Sequence, residues 1–396
     1  MTRSADSPLV PRLRPFGTTI FASMSALAAR TGAINLGQGF PDTDGPVEVL
    51  EAAARAIRAG HNQYPPGRGI APLREAIAEH QRRWYGLSYD PATQVLVTAG
   101  ATEALTAAIL ALCDTGDEVV VLEPTYDSYT AAIALARAVP RPVRLRHPSA
   151  TEPGYRLAEA DLRAAITDRT RLLLINTPHN PTGHVLGPDE LDAVARVAVE
   201  HDLVVITDEV YEHLLFGGRP YVPLTTLPGM AERTLQISSA GKTFSITGWK
   251  IGWVCSTPEL VAAVTTAKQF LTYVNGAPFQ WAVAEGLALP DERFAGLSRG
   301  MEAQHDVLLP GLVAAGMTVH PTEGTYFVTA DVAPLGYDDA VDFCWRLPDL
   351  CGVVAVPSSV FYADPTGARS LVRFAFCKRP EILAEAAERL AGLRTR

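Results

Sequence analysis

The feature that most constrains the fold is a regular alternation of short apolar runs and longer helical patterns, which begins near residue 94. Six runs have the composition of β-strands. They are QVLVT (94–98), EVVVLEP (118–124), RLLLINTP (171–178), LVVITDE (203–209), TLQISS (234–239) and KIGWVCS (250–256). Since these runs do not alternate between apolar and polar residues, both faces of the strands are covered. The pattern predicts an α/β fold with a mostly parallel central sheet and helices on both faces.

The alternation of strand and helix patterns ends near residue 290. A long helical pattern at 292–315 then leads into short β-like segments and a final helix. This region predicts a smaller α+β domain. The first 45 residues are rich in proline and glycine and predict an arm that packs on that domain. The expected division is therefore an arm at 1–45, a large domain at 46–290 and a small domain at 291–396.

Composition excludes several classes of protein. The formal net charge of −9 argues against nucleic acid as a partner, because phosphate binding needs a basic surface. No apolar run approaches the ~20 residues of a membrane span, and no secretory signal is visible. The five cysteines are scattered without CxxC spacing, which argues against a disulfide framework or a zinc site. We expect a cytoplasmic protein with no metal.

Lys242 lies in a turn rich in Gly, Ser and Thr, directly after the run TLQISS. A surface position is the common interpretation of such a lysine. A P-loop needs glycine five residues before its second glycine, and Gln236 occupies that position, so a P-loop is excluded. The third interpretation is a lysine that forms a Schiff base with an aldehyde. It must be uncharged to react, and burial beside a cation such as Lys250 favours that form.

Two further polar residues follow apolar runs. Asp208 ends LVVITD, and Asn180 follows RLLLI within NTPHNPTG. Ligands of such sheets bind at the C-terminal ends of the strands. Asp208 is either a helix N-cap or a carboxylate paired with the pyridine nitrogen of pyridoxal 5'-phosphate (PLP), which keeps the ring an electron sink. Asn180, in a turn motif, and Tyr211, otherwise a packing residue, can hydrogen-bond the phenolic oxygen of PLP.

A phosphate site is predicted where the first apolar run meets the next helix. Ala101 and Thr102 follow Gly100 at that helix N-terminus, where backbone N–H groups and the helix dipole favour an anion. Any turn between a strand and a helix favours such residues, so the signal is weak by itself. Ser239 and Lys250, on either side of the reactive-lysine candidate, would complete the anion site.

Two residues on other apolar segments complete the set. Tyr126, in EPTYDSY, either packs in the core or stacks on the pyridine ring. Arg373 is a charged residue inside the apolar segment SLVRFAFCK, and arginine is rarely buried without a partner. Its planar guanidinium suits bidentate binding of a carboxylate, with a structural ion pair as the alternative.

The order and spacing of these residues resemble class I/II PLP-dependent aminotransferases of fold type I. The resemblance rests on NPTG, ITDEVY, SSAGKTFSITGWKIGW and the late arginine, and it covers nearly the whole chain. GQGFPD, NQYPPGRGIAPLREAI and NTPHNPTG are similar to a narrower branch. That branch holds N-succinyldiaminopimelate aminotransferases and kynurenine/glutamine aminotransferases.

The resemblance implies a role for each candidate residue in holding PLP. Lys242 is the Schiff-base lysine and then the carrier of the proton. The other cofactor ligands are Asp208 at the pyridine nitrogen, Asn180 and Tyr211 at the phenolic oxygen, Ala101, Thr102, Ser239 and Lys250 at the phosphate, and Tyr126 against the ring.

The resemblance also implies substrate contacts and a partner. Arg373 binds the substrate α-carboxylate, helped by the backbone near Gly39. Tyr64 reaches the phosphate of the neighbouring subunit's cofactor, which implies a homodimer with shared active sites. Phe21 falls where kynurenine-type relatives place an aromatic residue over the substrate side chain. That residue is often tryptophan, so phenylalanine here argues against kynurenine.

The implied reaction is ping-pong transfer of an amino group from an amino acid, with glutamate as the expected donor, to a 2-keto acid. An N-succinyldiaminopimelate aminotransferase is one candidate. The alternatives are a kynurenine/glutamine-type enzyme and a cysteine-conjugate β-lyase. A hydrolase is disfavoured because its G-x-S-x-G match at 296–300 lies in a predicted helix, whereas a nucleophile elbow follows a strand. A non-catalytic PLP-binding module would carry a basic DNA-binding segment, and none is visible.

Overall fold

The computed structural model describes residues 8–17, 19–149 and 151–395, and its largest element is a seven-stranded sheet. The described strands are β1 (Ile34–Asn35), β2 (Val95–Ala99), β3 (Glu118–Glu123), β4 (Val139–Arg144), β5 (Thr170–Asn176), β6 (Val204–Asp208), β7 (Thr234–Ser239), β8 (Ile251–Cys255), β9 (Thr318–Val319), β10 (Phe327–Asp331), β11 (Val353–Val354), β12 (Val356–Pro357) and β13 (Leu371–Ala375). The large sheet has the order β2-β8-β7-β6-β5-β3-β4. Its pairs are parallel from β7 to β4, and β8 runs antiparallel to both of its neighbours.

Helices flank the sheet and continue into the C-terminal region. The described α-helices are α1 (Ile20–Thr31), α2 (Val47–Arg58), α3 (Ala71–Tyr85), α4 (Gly100–Leu112), α5 (Asp127–Leu135), α6 (Glu159–Ala164), α7 (Pro188–Glu200), α8 (Ala240–Thr243), α9 (Pro258–Lys268), α10 (Ala277–Leu287), α11 (Asp291–Ala315), α12 (Ala340–Cys351) and α13 (Pro380–Ala391). Within the described ranges, no helix combines the length and the apolar character of a membrane span.

Both faces of the large sheet are buried, which explains the continuous apolar runs. Leu172 and Leu174 of β5 pack in a core with α4, α5 and α9, whereas Leu173 and Ile175 pack on the opposite face with α7. Successive residues of a strand point to opposite faces, so each face takes every second residue. The six predicted strands and the helices between them are confirmed.

Strand β4 was not predicted. Its sequence, VPRPVR, contains two prolines and is largely exposed. Proline cannot donate a ladder hydrogen bond and is tolerated at a sheet edge, and β4 is the edge strand beside β3. The prolines that hide this strand in the sequence are thus consistent with its position.

A second sheet, of order β12-β13-β10-β9, forms the C-terminal region together with α11, α12 and α13. The N-terminal segment packs here, because Met24 and Leu27 of α1 join this core and β1 pairs with β11. These contacts are consistent with the expected arm. The boundaries at residues 45 and 290 stay a prediction.

Candidate active site

A cavity of about 300 Å³ lies between the C-terminal edge of the large sheet and strand β13. Twelve of the thirteen predicted site residues line it. They are Phe21, Gly39, Ala101, Thr102, Tyr126, Asn180, Asp208, Tyr211, Ser239, Lys242, Lys250 and Arg373. The exception is Tyr64, which is 82% exposed and whose ring contacts Tyr273 rather than this cavity.

Strand register explains why residues distant in sequence meet at this edge. Asn176, at the end of β5, is the register partner of Asp208 at the end of β6. Ser239 ends β7. Because β8 runs antiparallel, its first residue lies at the same edge, and this places Lys250 beside the C-terminal ends of the parallel strands. Lys242 follows β7 in the four-residue helix α8, which corrects the expectation of an irregular turn.

The first turn of α4 faces Lys250 at very short range. Gly252 allows this approach, since a Cβ there would lie 2.5 Å from the carbonyl carbon of Gly100. Gly100 has φ +72, and the Lys250 ammonium lies 3.5 Å from the Thr102 hydroxyl. Free N–H groups at a helix N-terminus and a nearby cation both favour an anion. This corner of the cavity therefore suits a phosphate.

Asp208 is buried and forms a hydrogen bond that the sequence did not indicate. Its carboxylate accepts a 2.6 Å hydrogen bond from the Tyr129 hydroxyl and a 3.3 Å bond from the backbone N–H of Val210. Burial raises the pKa of Asp208, against the lowering effect of these hydrogen bonds and of Lys242. No cation of the described residues forms an ion pair with it. A cationic group in the cavity would therefore be strongly favoured beside this carboxylate.

Arg373 is only 1% exposed and has no carboxylate partner among the described residues. Its Nη1 donates to the Asn180 side-chain oxygen at 2.9 Å and its Nη2 to the Gly37 carbonyl at 3.1 Å. The backbone near Gly39, which is predicted to help bind the substrate carboxylate, lines the same cavity. Burial lowers the pKa of Arg373 to about 10, and its Nε has no hydrogen-bond partner. A buried guanidinium in this state is an anion site.

Aromatic rings surround the Arg373 guanidinium. Phe327 lies 4.0 Å from it, and Phe21 and Phe361 each lie 5.0 Å from it. Phe21 also lines a second, mostly apolar cavity of about 560 Å³, which includes Phe361 and Ile20. Phe21 lines both cavities and forms part of the wall between them.

The Lys242 amine lines the first cavity, and part of it is uncharged near neutral pH. Burial lowers its pKa to about 8, with nearby Lys250 and Arg373 acting in the same direction and Asp208 opposing them. Its Nζ donates a 2.7 Å hydrogen bond to the Tyr326 hydroxyl. An uncharged amine in a cavity has the nucleophilic form that attacks carbonyl groups.

Two tyrosines complete the predicted set. Tyr211 is buried, and its ring packs edge-on against Tyr326. Tyr126 is half-buried, packs edge-on against Tyr129, and has its pKa raised by burial to about 12. Both hydroxyls therefore stay protonated and can donate hydrogen bonds to a bound group.

Comparison with known proteins gives the family. The sequence profile of "Aminotransferase class I and II" matches residues 31–390. The probable N-succinyldiaminopimelate aminotransferase DapC of Mycobacterium tuberculosis is 54% identical over 98% of this chain and 99% of its own. The solved structure of N-succinyldiaminopimelate aminotransferase from that organism has a TM-score of 0.94 at 55% identity, covering 97% of this chain and 100% of the other.

The chain belongs to the class I and II aminotransferases. A methionine aminotransferase of Escherichia coli is also 40% identical, over 98% of this chain and all of the relative. The protein is therefore a PLP-dependent aminotransferase of fold type I, as its sequence predicted. The hydrolase alternative fails, because residues 296–300 lie inside α11, where the Ser298 hydroxyl donates to the Leu215 carbonyl.

The cavity of this aminotransferase fits PLP by the chemistry of its own groups. The Lys242 amine can react with the aldehyde of PLP. The buried Asp208 carboxylate, without an ion pair, matches a protonated pyridine nitrogen. The first turn of α4, with Lys250 opposite, matches the phosphate.

Three residues in or near the aminotransferase cavity were not predicted from the sequence. Asn176 accepts the backbone N–H of Asn180 and donates to the Asp208 carbonyl, which joins two predicted site residues. Its place directly after an apolar run was a usable hint. Tyr129 and Tyr326 lie in apolar surroundings, where a tyrosine in a sequence is normally read as a packing residue.

One other cluster in the aminotransferase has the composition of a metal site. His80, Glu212 and His213 are buried with their ligand atoms within 4.8 Å of one another. The two histidine Nε2 atoms lie 2.7 Å apart, and the Glu212 carboxylate accepts from Tyr85 and Ser238. Burial lowers the pKa of both histidines, so a neutral hydrogen-bonded pair accounts for the contact.

Proposed function

We propose that this aminotransferase moves the amino group of a 2-amino acid to a 2-keto acid, with Lys242 as the proton carrier and Arg373 as the carboxylate anchor. The observation that carries the proposal is that both groups line one cavity, one as a buried amine and the other as a buried guanidinium without an anion. A substrate held by its carboxylate on Arg373 has its α-carbon within the same cavity as the Lys242 amine.

PLP, when bound, supplies an aldehyde for the amino group and an electron sink for the bond that breaks at the α-carbon. Asp208 supports this chemistry because its carboxylate favours the protonated pyridine nitrogen. Tyr129 holds that carboxylate through its 2.6 Å hydrogen bond. Asn180 and Tyr211 would donate to the phenolic oxygen, and Tyr126 would cover the face of the ring.

A second group of residues would hold the phosphate. Backbone N–H groups of Ala101 and Thr102 stand at the free N-terminus of α4, and the Ser239 hydroxyl and the Lys250 ammonium face them. These groups would hold the phosphate and so keep the cofactor in the cavity. The close packing of Gly252 on Gly100 makes this end rigid.

Lys242 moves the proton. Its lowered pKa, about 8, leaves a useful fraction of the amine uncharged near neutral pH, so it can take a proton from the α-carbon. The Asp208 carboxylate and the Arg373 guanidinium keep opposite ends of the reactants in place during the transfer. Hydrogen bonds to Asn180 and the Gly37 carbonyl orient the guanidinium.

For the substrates, we propose glutamate as the amino donor and, as the acceptor, the 2-keto acid whose amination gives N-succinyldiaminopimelate. The 54% identity to the probable enzyme of that name supports this choice. The cations that line the cavity, among the described residues, are Lys242, Lys250 and Arg373, and each already has a role. A distal carboxylate would thus depend on hydrogen bonds or on the partner subunit.

A second candidate substrate is an amino acid with an uncharged, apolar side chain. Phe21, Tyr126 and Phe327 form an aromatic wall in the cavity, and the methionine aminotransferase relative is 40% identical. Kynurenine-type substrates and β-elimination from cysteine conjugates share the same first steps. A product assay separates elimination from amino transfer, since elimination releases ammonia whereas transfer forms an amino acid.

We also propose a cytoplasmic homodimer. The support is Tyr64, which is 82% exposed at a position where the family resemblance places a residue that reaches the neighbouring phosphate. Its ring contacts Tyr273, and Phe270 nearby is equally exposed. Large exposed aromatic residues close together are typical of a subunit interface.

The test begins with the purified protein, which we expect to be yellow. Borohydride should abolish the visible absorbance and leave a pyridoxyl group on Lys242, which peptide mass spectrometry locates. Lys242→Ala should lose turnover. A donor–acceptor screen then compares N-succinyldiaminopimelate with methionine and kynurenine, each with 2-oxoglutarate. Protein that takes up no PLP, or a Lys242→Ala variant that still turns over, would refute the assignment of Lys242.

A further inference from the structure

The Tyr326 hydroxyl is the hydrogen-bond partner of the Lys242 amine. It accepts from Lys242 Nζ at 2.7 Å and donates to the Gly39 carbonyl at 2.5 Å. Tyr326 is 0% exposed and lies just before strand β10, in the C-terminal region, whereas Lys242 follows β7 of the large sheet. The hydroxyl therefore links two sheets and the loop around Gly39.

The direction of these hydrogen bonds is determined by the number of protons. A tyrosine hydroxyl has one proton and two acceptor lone pairs. A carbonyl only accepts, so the Tyr326 proton is donated to Gly39. The bond to Lys242 must then use a lone pair of the Tyr326 oxygen, and Lys242 must be the donor. Burial raises the pKa of Tyr326, which keeps that proton in place.

The loop around Gly39 cannot move away easily. A Cβ at Gly39 would lie 2.4 Å from the Phe327 ring and 3.1 Å from the Tyr326 ring, so the backbone packs directly on both aromatic side chains. Tyr211 packs edge-on against Tyr326 at 5.2 Å between ring centres. The Tyr326 oxygen is thus held from two sides.

We propose that Tyr326 is a positioning residue, which holds the uncharged Lys242 amine by one N–H so that its lone pair is turned into the cavity. An uncharged amine has two N–H bonds and one lone pair. Free rotation about the last carbon–nitrogen bond would direct the lone pair away from the substrate for much of the time. One fixed N–H restricts that rotation, and orientation of a reacting group contributes to rate.

The inference rests on the proposed role of Lys242, and the variant Tyr326→Phe tests it. The change removes one oxygen and leaves the ring packing intact. Tyr337→Phe is the matched control, because Tyr337 packs on Phe343 and does not line the cavity. Melting temperatures and far-ultraviolet circular dichroism verify that both variants fold.

The first measurement is the pKa of Lys242 in the cofactor-free protein. Trace labelling with acetic anhydride from about pH 6 to about pH 11, read by peptide mass spectrometry, gives this value. An accepting oxygen favours the charged ammonium, so Tyr326→Phe should lower the labelling midpoint by about one pH unit. The other groups that act on Lys242 are unchanged in the variant. They are Asp208, Lys250, Arg373 and Cys377.

The second measurement is steady-state kinetics of the PLP-loaded enzyme. Loss of orientation should reduce kcat about tenfold and leave KM within about twofold, because substrate binding rests on Arg373. Tyr337→Phe should match the wild type in both measurements. An unchanged labelling midpoint or an unchanged kcat in a folded Tyr326→Phe protein would overturn the inference.

Failure of the inference and failure of the proposed function give different results. If Lys242 is not the reactive lysine, borohydride leaves it unmodified in the wild type. If Lys242 is the reactive lysine but Tyr326 does not position it, borohydride modifies Lys242 and the Tyr326→Phe protein behaves like the control.

Discussion

The side-chain oxygen of Asn180 accepts a 2.9 Å hydrogen bond from Nη1 of Arg373. This bond crosses between the two sheets, since Asn180 follows β5 and Arg373 lies in β13. The Asn180 amide nitrogen remains available to donate to a bound group. One asparagine can thus orient the proposed carboxylate anchor and contact the cofactor at the same time.

Replacement of Arg373 by lysine should weaken substrate binding strongly although the charge is kept. Lysine cannot reach Asn180, the Gly37 carbonyl and a carboxylate together in a planar arrangement. We expect kcat/KM to fall about 100-fold or more, mostly through KM. Steady-state kinetics of Arg373→Lys and Arg373→Met measure this. PLP absorbance is the control and should be retained in both, and near-normal kcat/KM in Arg373→Lys would contradict the anchor role.

Asp208→Asn should reduce kcat by about 100-fold or more, because a neutral amide cannot balance a protonated pyridine nitrogen. Tyr129→Phe removes only the hydrogen bond to that carboxylate, so its effect should be about tenfold. The lost bond favours the ionised carboxylate, so the pKa of Asp208 rises in Tyr129→Phe. Activity should then decline at a higher pH on the acid side than in the wild type. A pH profile of kcat/KM measures the shift, and an identical acid limb would argue against the pair.

Phe21→Ala should open the wall between the two cavities. The second cavity is mostly apolar and has a volume of about 560 Å³. We expect kcat/KM for amino acids with long apolar side chains to rise about tenfold relative to alanine, as a pocket that gains volume accepts larger groups. Phe21→Trp should shift the preference in the opposite direction. A substrate series from alanine to 2-aminooctanoate tests both variants, and parallel changes for every substrate would count against a role in selectivity.

His184→Gln should destabilise the fold in a pH-dependent way. Burial lowers the pKa of His184, but hydrogen bonds to Glu190 and Glu323 outweigh this and raise it to about 9. The unfolded value is about 6.5, so the stabilisation is complete below that pH and is lost as the pH rises through 9. We expect a loss of about 2–3 kcal/mol at pH 6 and much less near pH 10. Urea unfolding at both values measures it, and an equal loss at both would exclude the ionic contribution.

The positions of the site residues were predictable wherever an apolar strand ends in a polar residue. Asp208 and Asn180 follow strands buried on both faces, so a polar residue there must lie at the sheet edge. Arg373 was predictable for a related reason, since a charge within an apolar strand needs a partner. These signals arise because burial is costly for polar groups.

Other features depend on contacts between distant segments, which a single sequence does not encode locally. Tyr129 and Tyr326 reach Asp208 and Lys242 across the fold, and each resembles an ordinary core tyrosine in its own segment. The hydrogen bond from the Arg373 guanidinium to the Gly37 carbonyl also joins segments that lie far apart in the sequence. Strand β4 was not predicted because it contains two prolines, which a strand tolerates at the edge of a sheet.

The pairing of β1 with β11, together with the contacts of Arg373 to Gly37 and Asn180, has a consequence for biosynthesis. The carboxylate anchor is synthesised 336 residues after the loop that receives it. Domains form in the order of synthesis, so the cofactor end of the pocket can be folded before any amino acid can be held. The newly made enzyme could then bind PLP before it can bind a substrate.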